Sequence, residues 1–473
     1  MNVKALSFFK NFSYTFVSNL ITLVVSTLVT LIVPKLIGVE DYGYWQLYMF
    51  YSTYVGFFHF GWNDGIYLRY GGEEYESLDK PKFFSQFIQL LTLQVSLAAL
   101  FMVGASFIAD GPDRTFIFQM IAIDMVILNV RYMFLFILQA TNRINKYAVI
   151  MVLDRVLFVG TVLFLLLIGS RDYHLMIAAD LISKFVSLLY GMYACKEFVF
   201  LKLSEFTLDL KETWHNINVG VKLMIANLAS KAIIGIVRFG IERRWDVETF
   251  GKVSLTLSIS HFMMVFITGI GVVVYPILRR TNPEKLPSIY KLMRNFLMIT
   301  SFSFLIFYYP ARVILSAWLP EYAEALLYMA LLFPLVIYEG RLTLLINTYM
   351  KTLRHEKVLL RINTISVTIS TIATVFTTVI LHNLNLAVLT ILLGQMTRAI
   401  LAEYFLSDRL NISLTKDIIL ETVLTVVFIA SGWYIDSWWT VVIYGISYLI
   451  YLMIKMPDVK ETYAGMKGLV GNK

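Results

Sequence analysis

The chain is poor in the residues that catalysis and cross-linking use. Its single cysteine, Cys195, excludes an intramolecular disulfide and a thiolate metal cluster. His59, His174, His215, His261, His355 and His382 are scattered without metal-ligand spacing, so no metal site is expected. No glycine-rich loop ending in Lys-Ser or Lys-Thr is present, which argues against an ATPase. Charged residues make up only 15% of the 473 positions. No long outer loop with paired carboxylates offers room for a hydrolase or transferase head. No catalytic residue and no cofactor are expected, and the chain reads as a non-enzyme.

Apolar sequence fills the space that charge leaves. The chain is 58% hydrophobic, with a mean hydropathy of +0.71, more apolar surface than a water-soluble domain can hide. Apolar runs of about 20 residues recur from end to end, the length that crosses roughly 30 Å of hydrocarbon as a helix. The spans expected are 12–33, 43–66, 83–109, 113–140, 147–169, 173–195, 217–239, 249–277, 287–309, 322–350, 358–381, 386–406, 417–434 and 437–455, fourteen in all. The first is too long for a signal-peptide core and ends in Val33-Pro34-Lys35, so it reads as a retained helix behind a short interfacial lead-in at 1–11. The fold class is an all-α polytopic membrane protein.

The chain repeats itself. Asn19-Leu20, Lys35 and Val39-Glu40-Asp41-Tyr42-Gly43 return 208 residues later as Asn227-Leu228, Arg243 and Val247-Glu248-Thr249-Phe250-Gly251. Leu68-Arg69 returns as Leu278-Arg279, and Thr141-x-Arg143-x-x-Lys146 as Thr352-x-Arg354-x-x-Lys357. Such self-similarity predicts two six-helix lobes, 1–195 and 217–406, joined by a polar cytoplasmic linker at 196–216. An even number of helices per lobe makes the lobes parallel, with a pseudo-two-fold along the membrane normal and a central cavity. Two extra helices and a tail, 407–473, fall outside the repeat. With the N-terminus placed in the cytoplasm, 24 Lys and Arg residues fall in inner segments and seven in outer ones. Both termini are therefore expected inside. The net charge of +8 follows from this bias and does not argue for nucleic acid.

Charge within the spans is the remaining chemical signal. Nine cations lie there: Arg131, Arg155, Lys184, Lys222, Lys231, Arg238, Arg341, Arg361 and Arg398. Four acids join them: Asp124, Asp154, Asp180 and Glu339. Each costs about 2.5–3.5 kcal/mol at a helix centre, so such residues face protein or a water-filled cavity. Asp154-Arg155 and Asp180/Lys184 read equally as structural pairs, and Lys222 and Arg361 as snorkelling residues. The cation excess on this count predicts an anionic substrate held by Arg131, Arg341 and Arg398, with Lys184, Lys231 and Arg238 further out. Arg131 and Arg341 are expected as symmetry mates. Asp124, Asp180 and Glu339 are the candidate ion-coupling acids, or else counter-ions. Asn63-Asp64-Gly65 is expected to break the second helix. Arg69 then reads either as part of a helix stop with an aromatic belt or as a phosphate-binding arginine at a mobile cytoplasmic gate.

Pro34-Lys35-Leu36-Ile37-Gly38-Val39-Glu40-Asp41-Tyr42-Gly43, followed by Phe60-Gly61-Trp62-Asn63-Asp64-Gly65-Ile66-Tyr67-Leu68-Arg69-Tyr70-Gly71, resembles the N-terminal signature of bacterial polysaccharide-biosynthesis membrane proteins. These are lipid-linked oligosaccharide flippases of O-antigen and exopolysaccharide pathways, in the multidrug/oligosaccharidyl-lipid/polysaccharide exporter superfamily. The resemblance implies a multi-pass protein of the bacterial inner membrane. It would carry a lipid-diphosphate-linked oligosaccharide to the outer leaflet by alternating access, with H⁺ or Na⁺ as coupling ion. Membrane lipids, a polysaccharide polymerase and chain-length proteins are the partners it suggests. Cationic lumen residues hold the diphosphate or acidic sugars in that family, a part that Arg69, Arg131 and Arg341 would take here. The alternative is a drug or organic-cation exporter of the same superfamily, whose cavity should be acidic. A membrane-bound transferase and a non-transporting structural protein fit less well.

Overall fold

The computed structural model describes residues 27–262, 264 and 283–460. Among them all regular structure is helical, the one arrangement besides a closed barrel that satisfies every backbone group in hydrocarbon. Nine described helices are long and apolar enough to cross a membrane, or ten with one bent pair taken as a single span. Most of the expected 12–33 span, the 1–11 lead-in, the end of the 249–277 span, and the Asn19-Leu20 and Leu278-Arg279 repeat positions lie outside the described residues. The helices cluster into two units, Met1–Leu228 and Ala229–Lys473.

Unit 1 contains α1 (Thr27–Leu36), α2 (Val39–Val55), α3 (Trp62–Arg69), α4 (Lys80–Ile108), α5 (Pro112–Ala140), α6 (Ile144–Leu167), α7 (Tyr173–Ala194) and the first half of α8 (Leu210–Arg244). α5 is the core helix, with Ile117, Ile121, Met125, Met133, Phe134 and Leu138 all buried at helical spacing. α4 and α6 instead leave Leu100, Phe107, Phe164 and Leu167 exposed, the apolar surface expected of lipid-facing spans. Sequence starts these helices deliberately. Asp79 caps α4 by accepting from the Lys82 amide at 3.1 Å, with Pro81 in the first turn, and Asp172 caps α7 through the His174 amide at 2.8 Å.

The expected second span is broken, but not at Asn63-Asp64-Gly65. The break is the turn at 56–61, where Phe60 and Gly61 take left-handed φ values of 53° and 86°. Asn63, Asp64 and Gly65 sit inside α3, where an acid in the first turn complements the helix dipole. Side chains from α4 and α5 satisfy the carbonyls that the break frees. Gln94 donates to Phe58 O at 3.0 Å and Asn129 to Val55 O at 3.0 Å. The polar stretch 210–216, expected as linker, is the first two turns of α8.

Unit 2 contains the rest of α8, then α9 (Val247–His261), α10 (Leu286–Phe304), α11 (Tyr308–Trp318), the bent pair α12 (Ala325–Leu332) and α13 (Leu335–Thr352), α14 (Glu356–Val375), α15 (Leu384–Arg409), α16 (Thr415–Ala430) and α17 (Trp438–Ile454). α12 and α13 meet at 42° around Pro334, which cannot donate into the helix ladder. A π-helical turn at Arg341–Ile346 widens α13.

The repeat is visible in element boundaries. α1 ends at Leu36 and α2 begins at Val39; α8 ends at Arg244 and α9 begins at Val247. α5 and α6 are joined by three residues whose middle one, Asn142, has φ 56°; α13 and α14 are joined by three whose middle one, Arg354, has φ 58°.

Candidate functional site

Unit 1 gathers charge on the inner faces of α2, α5 and α7. Lys184 on α7 lies 2.9 Å from Asp124 Oδ1 on α5 and 2.7 Å from Asp180 Oδ2 one turn back on its own helix. From α2, Tyr48 donates to Asp180 at 2.6 Å and Ser52 donates to Asp124. Lys184 also donates to Ser52 Oγ at 3.2 Å. Tyr48, Asp124 and Asp180 are buried almost completely. Two carboxylates therefore share one ammonium and two hydroxyl donors, which leaves one negative charge in excess.

Arg131, about two turns further along α5, is not a free cation. Its Nη1 is 2.7 Å from Asp154 on α6 and 3.3 Å from Ser187 Oγ on α7. Asp154 thus pairs with Arg131 rather than with its neighbour Arg155.

Unit 2 holds a second cluster, and here the expected cation excess fails. Arg341 donates to Glu403 at 2.7 Å and to Glu421 at 3.0 Å. Arg294 reaches the same two acids, Nε to Glu403 at 2.7 Å and Nη1 to Glu421 at 2.8 Å. Tyr290 adds a bond to Glu403 at 3.2 Å. All four charged side chains are buried. Glu403, Glu421 and Arg294 stand within the expected spans 386–406, 417–434 and 287–309 and belong in the charge balance beside the residues counted there. The corrected balance makes Arg341 a neutralised member of a four-charge lock that ties α10, α13, α15 and α16 together. Lys455 extends it by pairing with Asp417 at 2.9 Å, so α17 is fastened as well.

The other expected contacts sort themselves by environment. Lys231 is exposed, and Arg238 is half-buried, donating to Ser254 Oγ at 2.9 Å. Lys222 and Arg361 are exposed. Glu339 faces His261 at 3.3 Å. Arg398 on α15 differs from the rest: it is buried, its Nε donates to Asn363 Oδ1 at 2.8 Å, and no carboxylate among the described residues stands within ion-pair distance.

Arg69 does not present an empty fork. It binds Glu212 through both terminal nitrogens, at 2.8 and 3.3 Å, and Asn216 at 2.5 Å, while Tyr70 donates to Glu212 at 2.9 Å. The helices beneath touch backbone to backbone. A Cβ at Gly65 would strike Asn216 O, and one at Gly220 would strike the Gly61 carbonyl and the Gly65 amide. Glycine is required there for close approach.

Among the described residues no group of His, Cys, Asp and Glu could hold a metal ion.

Residues 8–282 match the family model described as Polysaccharide biosynthesis protein. No curated protein matches the chain in sequence. Solved structures do match in fold. A multidrug resistance MATE family transporter of the MOP superfamily in its inward-facing conformation is 13% identical, with a TM-score of 0.67 over 82% of this chain and 94% of that one. A MATE protein in complex with MaD5 is 16% identical, with a TM-score of 0.56 over 84% and 94%. A family model spanning more than half of the sequence and an all-helical membrane fold shared with these transporters lead to one assignment: the chain belongs to the polysaccharide biosynthesis protein family, on the fold of the MOP-superfamily transporters.

Proposed function

We propose that the protein moves a lipid-diphosphate-linked oligosaccharide, an O-antigen or exopolysaccharide repeat unit, from the cytoplasmic to the outer leaflet of the bacterial inner membrane. Alternating access drives the movement, and the two units serve as the lobes that exchange states. The observation that carries this reading is the family match on a transporter fold.

The proposed ion site is the Lys184 cluster, with Asp124 and Asp180 as its acids. Two carboxylates facing one ammonium in a low-dielectric interior repel each other unless a proton or Na⁺ neutralises the excess. Loading changes the net charge between α2, α5 and α7, so it can favour one packing of these helices over another. Arg398 is the proposed anion contact in unit 2. Arginine stays protonated when desolvated and binds oxyanions through its fork. Glu339 stays a candidate second acid, linked to His261.

The test is a leaflet-access assay in proteoliposomes with a lipid-linked oligosaccharide and an imposed ion gradient. Gradient-dependent appearance of the glycan on the far side is expected. Transport of ethidium with no movement of the glycan would overturn the reading. It would favour an organic-cation exporter, for which the carboxylate excess in unit 1 is the supporting observation.

A further inference from the structure

A recess opens on unit 1 between α4, α5 and α7. It measures about 570 Å³, and every residue lining it is apolar. The sequence hollows it out with small side chains. Ala98 and Ala99 of α4 share it with Ala122 of α5, while Val95 and Met102, one turn to either side on α4, are large. Close-packed helices leave few voids of this size. Val95, Ile182 and Phe185 line it and are each about half exposed. From them an exposed apolar surface continues to Leu100, Val103 and Phe107 on α4 and to Leu189 on α7. The recess therefore belongs to the lipid-facing surface. Its lining residues lie well inside both ends of the three spans. Behind it, the opposite faces of α5 and α7 carry Asp124, Asp180 and Lys184.

We propose that this recess is a binding site for one acyl chain of a membrane phospholipid. Its depth decides the chemistry of the occupant. Away from the span ends the bilayer offers hydrocarbon alone, and a headgroup drawn into the recess would find no hydrogen-bond partner on the lining. Size narrows the choice. A methylene group takes up about as much room as a water molecule, roughly 30 Å³, so 570 Å³ holds about 19 of them, one straight chain. The tail of a polyprenyl carrier is methyl-branched along its length, so it is wider than such a chain, and it is much longer than the recess. Within a bilayer the attraction is packing, since the chain exchanges loose contacts with other lipids for close contacts with fixed side chains. A chain seated here touches α4 on one side and the α5–α7 pair on the other. It braces the back of the two helices that hold the Lys184 cluster, whatever the protein carries.

The test takes the full-length protein in detergent, stripped of lipid and then titrated with dioleoyl phosphatidylglycerol, dihexanoyl phosphatidylglycerol or a polyprenyl phosphate. Native mass spectrometry counts the molecules that stay bound, and a thermal melt follows stability. The dioleoyl lipid should stay bound at one per chain and raise the midpoint in a saturable way. The dihexanoyl lipid has the same headgroup and should do neither. The polyprenyl phosphate should not displace the dioleoyl lipid. Ala99→Phe sets a ring in the recess from an exposed position, without crowding the core. It should weaken retention by about tenfold, because the displaced stretch of chain gives up many small contacts at once, and it should remove the lipid-dependent rise in midpoint. Leu167→Phe, on the exposed face of α6 and away from the recess, should change neither. Equal retention in Ala99→Phe and the parent, equal loss in both variants, or displacement by the polyprenyl phosphate would overturn the site. None of these readings involves glycan movement, so their failure would leave the proposed function standing.

Discussion

The two buried charge clusters use the same side-chain chemistry to opposite ends. In unit 2, Arg294 and Arg341 face Glu403 and Glu421, two charges against two, each acid bonded to both arginines. In unit 1, Asp124 and Asp180 face Lys184 alone, and hydroxyls of Tyr48 and Ser52 fill the remaining positions. A balanced cluster has nothing to gain from an added ion, and it serves as a fastener. A cluster one charge short can be completed from outside. Burial and charged-residue content do not separate these roles; stoichiometry does.

The sharpest way to break this comparison is to unbalance the fastener. Glu403→Ala leaves Arg341 with Glu421 alone and Arg294 with Glu421 and the more distant Asp417 at 3.6 Å, and should destabilise the protein by about 3–5 kcal/mol. The measurement is loss of folded protein from membranes together with a fall in the thermal midpoint. A midpoint close to that of the parent would show that the cluster fastens nothing. Gly220→Ala asks whether unit 1 relies on backbone contact where unit 2 relies on charge. Its methyl group meets the Gly61 carbonyl, and a cost of about 1–3 kcal/mol is expected in the same melt.

Asp180→Asn should do the reverse of Glu403→Ala. The amide still accepts from Tyr48, and Lys184 keeps Asp124, so the stability change should be about 1 kcal/mol. Gradient dependence of transport should disappear, as read in the leaflet-access assay. Transport that still follows the gradient would exclude Asp180 from coupling. The smallest effect is expected at Asp246, the cap of α9, which accepts from the Thr249 amide at 2.7 Å. That hydrogen bond holds its carboxyl below the usual range. Its contribution is therefore present above the unfolded pKa and is lost as pH falls through the lower, folded pKa. Asp246→Ala should cost about 1 kcal/mol at neutral pH, and the gap from the parent should narrow in acid melts.

Much of the helical layout was legible because a membrane span must be long, apolar and continuous. The expected 113–140 and 386–406 spans correspond to α5 and α15 for that reason. The 56–61 break was hidden because its residues are as apolar as a span, and only the backbone angles at Phe60 and Gly61 reveal it. The polarity at 210–216 hides the start of α8, because a helix can run beyond the apolar region. Asp180/Lys184 could be found from their i,i+4 spacing. Arg294, Arg341, Glu403 and Glu421 could not be matched to one another, since they lie on four helices. The presence of Glu403 and Glu421 in apolar runs was nonetheless readable, and so was the resulting reduction of the cation excess. Arg398 shows the same division. The cation was visible in sequence, but Asn363 is an ordinary polar residue until the packing of α14 on α15 sets it against Arg398.

Cys195 has a practical consequence. It is fully buried, and a thiol in apolar surroundings is inert. Water-soluble maleimides and methanethiosulfonates should therefore leave the parent protein unmodified. Any cysteine introduced at a chosen depth can then be read on its own. Labelling rates along α3, α8 or α15, with and without an ion gradient, would give a map of solvent access free of background from the native thiol.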